Sequence, residues 1–203
     1  MDIDVNQIAI TLPVQLGELN KKKQDIIFEK VLKNTKFENI ATGPFGLLCY
    51  TKDGKENLVI NIDRIAYNKS GNNIDASEIK NVFNKIFDVL LLDSNNFAII
   101  DVQGIVKAQD SHKESLDQFN DKFNKVLDEY PDVYGVGYRF VTKTIESNGE
   151  FKVEPLLQNS SYYFCQKILN YNINKIPIDK IINITENIVN DFNEYFSSIL
   201  KIM

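Results

Sequence analysis

Few side chains in this 203-residue chain could carry catalytic chemistry. There is one histidine, His112, so any Ser-His-Asp or Cys-His arrangement must be built on it. It sits in Ser111-His112-Lys113-Glu114, which has capping-box spacing, and its ordinary reading is an exposed residue at a helix start. Cys49 and Cys165 lie far apart in apolar, strand-like stretches and lack the spacing of a zinc or redox pair. No Gly-x-x-x-x-Gly-Lys-Ser/Thr loop is present to cradle phosphates. Gly135-Val136-Gly137 lacks the third glycine of a dinucleotide fingerprint and reads as a bulge or a close backbone approach.

Carboxylates and arginines remain. Asp63, Asp101 and Glu154 fall on strand positions that point away from the apolar faces. Glu150-Phe151-Lys152 has the acid-x-lysine spacing of many metal-dependent nucleases, with Asp101 or Asp132 as its partner. That chemistry needs Asp101, Glu150, Lys152 and Glu154 to converge; a solvated strand face is the plainer reading. Arginine occurs only at Arg64 and Arg139, both in predicted strands. Each could anchor an anionic ligand or a partner through bidentate pairing, or pair structurally with Asp63, Asp101 or Glu154. Tyrosines 130, 134, 138, 162, 163 and 171 crowd the second half. Tyr134 and Tyr138 read as core. Tyr163 and Tyr171 fall on the opposite phase from Tyr162 and Phe164 and are the candidate interface residues.

The elements that must hold these residues follow from periodicity. Ile8, Ile10, Leu12 and Val14 alternate as a strand that Pro13 either ends or confines to a sheet edge. Asn20 caps a helix over about 21–33, with Ile27, Phe28, Val31 and Leu32 as its apolar stripe. Strands are expected at 45–50 and 58–67, joined by the Asp53-Gly54 turn, with a phase change beyond Asp63 that suggests a bulge or a strand end. A helix follows over 76–92, a strand over 97–107, and a helix from 111 to 129 that Pro131 stops. Strands at 134–141, 151–157 and 162–169, with a turn at Asn148-Gly149, precede a final helix over 178–201. Strand-loop-helix recurs loosely at 58–92, 97–129 and 162–201. This is a single α+β domain over 1–203, with about six antiparallel strands and four helices on one face.

Composition bounds the function. Hydrophobic residues make up 43% and charged residues 25%, with a formal charge of −5. Of 23 basic residues, 21 are lysine, and the one tight cluster, Lys21-Lys22-Lys23, opens a helix. Nucleic-acid binders concentrate arginine and basic charge, and a bilayer span needs an apolar run of about 20 residues, which the sequence lacks, so the chain reads as neither a nucleic-acid nor a membrane protein. The acidic start lacks a signal-peptide pattern, which points to the cytoplasm. The heavy use of Asn, Ile and Lys is similar to that of AT-rich bacterial or phage genomes.

Three stretches carry a family likeness. They are Thr51-Lys52-Asp53-Gly54 through Asp63-Arg64-Ile65-Ala66-Tyr67-Asn68, the strand Val136-Gly137-Tyr138-Arg139-Phe140, and the helix segment Asn193-Glu194-Tyr195-Phe196-Ser197-Ser198. Over about a third of the chain these resemble a sporadically distributed, uncharacterised bacterial family associated with mobile elements. The resemblance implies an α+β fold and a setting near phage or defence genes, and it carries over no activity or site residues. Function therefore reads first as a non-enzymatic module that needs no cofactor or metal. It acts through a protein partner or self-assembly, in phage defence or counter-defence. The second reading is a metal-dependent nuclease or other phosphoryl-transfer enzyme. A third is a small-molecule pocket with Arg139 as anion anchor.

Overall fold

The computed structural model describes residues 3–33, 35–44, 46–71, 74–90, 97–123, 126–130, 132–172 and 178–200. The fold is α+β, as the patterning predicts, but its sheet has nine strands rather than about six. In chain order these are β1 (Ile3–Pro13), β2 (Asn39–Gly43), β3 (Gly46–Tyr50), β4 (Glu56–Asn61), β5 (Arg64–Ser70), β6 (Phe97–Lys107), β7 (Tyr138–Lys143), β8 (Ser147–Pro155) and β9 (Tyr162–Asn172). The helices are α1 (Lys21–Ile27), α2 (Ala76–Leu90), α3 (Ser111–Lys122) and α4 (Ile178–Leu200). Every strand pair is antiparallel, in the order β2-β3-β4-β5-β1-β6-β9-β8-β7.

That order reveals an internal repeat. Each half runs strand, helix, strands, helix: β1, α1, β2–β5, α2, then β6, α3, β7–β9, α4. The two leading strands, each 11 residues long, meet at the centre of the sheet. The remaining strands of each half run outward in reverse chain order. The recurring unit therefore spans 3–90 and 97–200, not the shorter segments the sequence suggests.

One face of the sheet is covered. Ile8, Ile10 and Leu12 of β1, Leu58 and Ile60 of β4, Ile65 and Tyr67 of β5, and Ile100 and Val102 of β6 are all buried. They meet Ile79, Phe83 and Ile86 of α2 and Ile188, Phe192 and Phe196 of α4 in one core. Burying each such side chain contributes roughly 1.5–3 kcal/mol. α2 packs against α4, and α1 against α2. Phe151 of β8 stacks on Tyr195 of α4, ring centroids 3.9 Å apart. No helix among the described residues is long and apolar enough to cross a membrane.

Several local expectations shift. β1 is central, and Pro13 ends it. Asn20 caps α1 as expected, accepting from the Lys23 amide at 3.1 Å. The helix then widens into a π turn over Phe28–Leu32, which carries the buried stripe through Ile27, Val31 and Leu32 and leaves Phe28 outside it. The expected strand 58–67 is two strands, and the phase change at Asp63 is the tight turn between β4 and β5. The cap of α3 is Asp110, one residue before the expected box, with Oδ1 accepting from the Lys113 amide at 3.2 Å. Strand β7 starts at Tyr138, because the Val136 amide donates to Ser115 Oγ at 3.0 Å instead of joining a ladder. Tyr134 is accordingly exposed, not core. Asn148 and Gly149 lie inside β8; the turn is at 144–147, closed by Thr144 N–H donating to the Ser147 carbonyl at 2.7 Å. Phe45, Leu91, Leu92, Pro131 and Lys201, on which expected element ends fall, lie outside the described residues.

Candidate functional site

Strand pairing assigns every sheet residue to a face, because directly opposed residues point the same way. Asp101 opposes Ala9 and Ile168, and Ile168 opposes Glu150, which opposes Val141. Gln103 opposes Gln166, then Lys152, then Arg139. Ile105 opposes Phe164, which opposes Glu154. Arg64 opposes Pro13 on the same side. All these residues occupy the face that the core leaves open. At a strand spacing of about 4.8 Å, nine strands make this face roughly 38 Å wide.

The open face brings together most of the charged candidates. Arg139 pairs with Glu150 Oε2 through Nη2, and Lys152 Nζ lies 3.0 Å from Glu150 Oε1. Lys152 and then Arg139 hold the Glu150 carboxyl below its ordinary value. The structural partner of Arg139 is thus Glu150, not Asp63, Asp101 or Glu154. Asp101 is satisfied by carboxamides: Gln166 Nε2 donates to both its oxygens at 3.0 Å, and Gln103 Nε2 donates to Oδ2 at 3.3 Å. Arg64 is exposed and has no ion pair among the described residues.

The carboxylates share a face without converging. Asp101 and Glu150 stand on either side of Ile168, so their Cα atoms are two strand spacings apart, about 10 Å. Both have their oxygens engaged by neighbours. No group of three metal-ligating side chains occurs among the described residues. Asp132 lies before β7, outside the sheet.

Tyr163 and Tyr171 are corrected. They are 5% and 9% exposed on the helix-covered face, leaving almost no ring surface for a partner. Their phase-mates Tyr162 and Phe164 line the open face instead, half-buried. Sequence reasoning separates the two phases but chooses the wrong one, since alternation does not say which face the helices cover. It also misses Leu48, Tyr50 and Ile99, exposed on the same face, together with the carboxamides Gln103 and Gln166. Their signal is present in β3 and β6 as the residues out of phase with the core.

The other single residues have structural contacts. His112 donates from Nε2 to the Leu156 carbonyl at 3.1 Å and is half-buried, tying α3 to the end of β8. A Cβ on Gly135 would lie 3.0 Å from Pro155 Cγ and 3.1 Å from Ser115 Oγ, so close packing explains this glycine. A cavity of about 480 Å³ is lined by Lys107, Ala108, Gln109, Glu114, Gln118, Tyr163 and Leu200. Arg139 is not in its lining, so this cavity is not the pocket expected around that residue.

The sequence matches no protein-family model and no curated protein. The residues themselves therefore carry the functional reading.

Proposed function

We propose that this chain is a non-enzymatic protein-binding module whose partner sits on the open face of the sheet. The observation that carries this reading is a broad uncovered face where apolar side chains alternate with charge. Leu48, Tyr50, Ile99 and Val141 are exposed there, among Arg64, Arg139, Lys152, Asp101 and Glu150. Aromatic and arginine side chains beside aliphatic ones are the composition of interface cores. The resemblance to a mobile-element family sets the expected context as cytoplasmic defence or counter-defence.

Tagged chain recovered from its source cell should retain a stoichiometric protein. The triple variant Leu48→Glu, Tyr50→Glu, Ile99→Glu should lose it while keeping its circular-dichroism spectrum. Partner retention by the folded triple variant, or wild-type chain that recovers no stoichiometric protein, would refute the proposal.

A further inference from the structure

The sheet has two edges, and they differ. β2, at one end, is the five-residue segment Asn-Ile-Ala-Thr-Gly with no charged side chain. β7, at the other, pairs with β8 in unbroken register from Tyr138↔Val153 to Lys143↔Asn148 and has no strand on its outer side among the described residues. An open edge presents unpaired backbone N–H and C=O groups, a template for another strand. Proline, bulges and charged side chains commonly blunt such edges; β7 has no proline or bulge, and its guard is the positive charge of Arg139 and Lys143, which admits an acidic strand and repels a basic one. Its side chains are also unusually bare. Val141 is 79% exposed, Phe140 is exposed beside it, and Ile145, two residues beyond the strand, is exposed as well.

Charge identifies the occupant. On the open-face side, Arg139 and Lys143 flank Val141. β7 itself carries Arg139 and Lys143 on that side and no carboxylate; on β8 behind it, Lys152 stands between Glu150, which pairs with both Arg139 and Lys152, and Glu154. Lys143 has no ion pair among the described residues. A second copy of the chain fits poorly. Pairing β7 with β7 brings together two strands that each carry two cations and no carboxylate, and in the register centred on Val141 it sets Arg139 opposite the other copy's Lys143 twice, where directly opposed like charges destabilise a strand pair. The β2 edge of a second copy offers Asn39, Ala41 and Gly43 on that side and no carboxylate.

We infer that β7 is the docking edge for an extended acidic segment of a different protein, which adds to the sheet as a tenth strand. The inference rests on the protein-binding reading and adds the β7 edge to the open face as a second surface. The incoming segment places carboxylates opposite Arg139 and Lys143, an apolar residue opposite Val141, and an aromatic or aliphatic residue beside Phe140. Main-chain hydrogen bonds give affinity, and the alternating side chains give selectivity. Six residues of contact span about 20 Å.

The probe is a capped hexapeptide, glutamate-threonine-valine-phenylalanine-glutamate-valine, titrated into isotopically labelled full-length chain and followed by NMR. Saturable shifts should concentrate in β7 and β8. Replacing both glutamates with lysine should weaken binding about tenfold, two cross-strand charge pairs being reversed. The double variant Arg139→Glu, Lys143→Glu should invert that preference; both side chains are solvent-exposed, and unchanged shifts elsewhere would confirm the fold. N-methylating one alternate set of peptide amides should abolish binding, and methylating the other set should leave it intact. Equal binding of the acidic and lysine peptides, equal effects of the two methylation sets, or no shift in β7 would each overturn edge docking. Shifts at Leu48, Tyr50 and Ile99 with β7 unmoved would overturn it while leaving the open-face reading standing. Failure of that reading is scored separately, by partner retention in the triple variant.

Discussion

Arg139 shows what a scarce residue type conveys. Two arginines among 23 basic residues single out their positions, and both occupy the open face. What Arg139 pairs with depends on register: it opposes Lys152, with Glu150 and Glu154 diagonal on either side, and its guanidinium turns to Glu150. The cysteines give a sharper test at this scale. Cys49 of β3 and Cys165 of β9 point into the covered face, and burial pushes each thiol up to about 12. At pH 8 the thiolate, the only reactive form, is then about one part in ten thousand. A thiol reagent at pH 8 should leave both cysteines unlabelled in the folded chain over minutes and label both in denaturant, counted by mass spectrometry. Rapid labelling of either one in the folded chain would mean that its strand is not packed as described.

Elements were legible where a run of apolar residues has a single period. β6 at 97–107 and the bodies of α2 and α4 fall where periodicity puts them. Boundaries failed where a short polar residue could serve two structures. Asn148-Gly149 has the chemistry of a hairpin turn, yet Gly149 is a strand residue retained for space. A Cβ there would stand 2.2 Å from the Ile168 carbonyl oxygen and 2.7 Å from Leu169 Cδ2. The first obstacle is backbone, so β8 and β9 would have to separate locally. Gly149→Ala should cost about 3 kcal/mol, the upper end for overpacking, read from the shift in urea midpoint. Gly43→Ala in β2, where nothing lies within 4 Å, is the control and should leave the midpoint within about 0.5 kcal/mol of wild type. Equal effects of the two substitutions would contradict the β8–β9 register. The same ambiguity hid β4 and β5 inside one apparent strand, because a tight turn and a bulge both reverse the apolar phase.

At the scale of the molecule, long-range pairing is what the sequence withholds. The doubled β-α-β-α plan emerges only from strand order, and the open face only from knowing where the helices lie. A charged network joining α2 to the sheet is equally invisible, since Lys36 and Glu78 are 42 residues apart. Glu56, 6% exposed at the start of β4, accepts from the Tyr67 hydroxyl at 2.8 Å. It also pairs with Lys36 at 2.6 Å and Lys69 at 3.1 Å. Glu78 of α2 closes the network, pairing with the same two lysines at 2.6 and 2.8 Å. Hydrogen bonds from Lys36 and then Lys69 lower the Glu78 pKa from 4.5 to about 2. A carboxyl depressed by folding adds stability above its unfolded pKa and loses it as pH falls through the folded one. The contribution of Glu78 should therefore be complete at neutral pH, fall away between about 4.5 and 2, and be gone below. Its side chain is 48% exposed, so solvent screening reduces the effect to about 1 kcal/mol, or roughly 2–4 °C in melting temperature. Glu78→Gln should melt lower than wild type by that amount at pH 7, and the two curves should converge towards pH 2. A gap that stays constant with pH would mean the Glu78 carboxylate does not hold α2 to the sheet through these lysines.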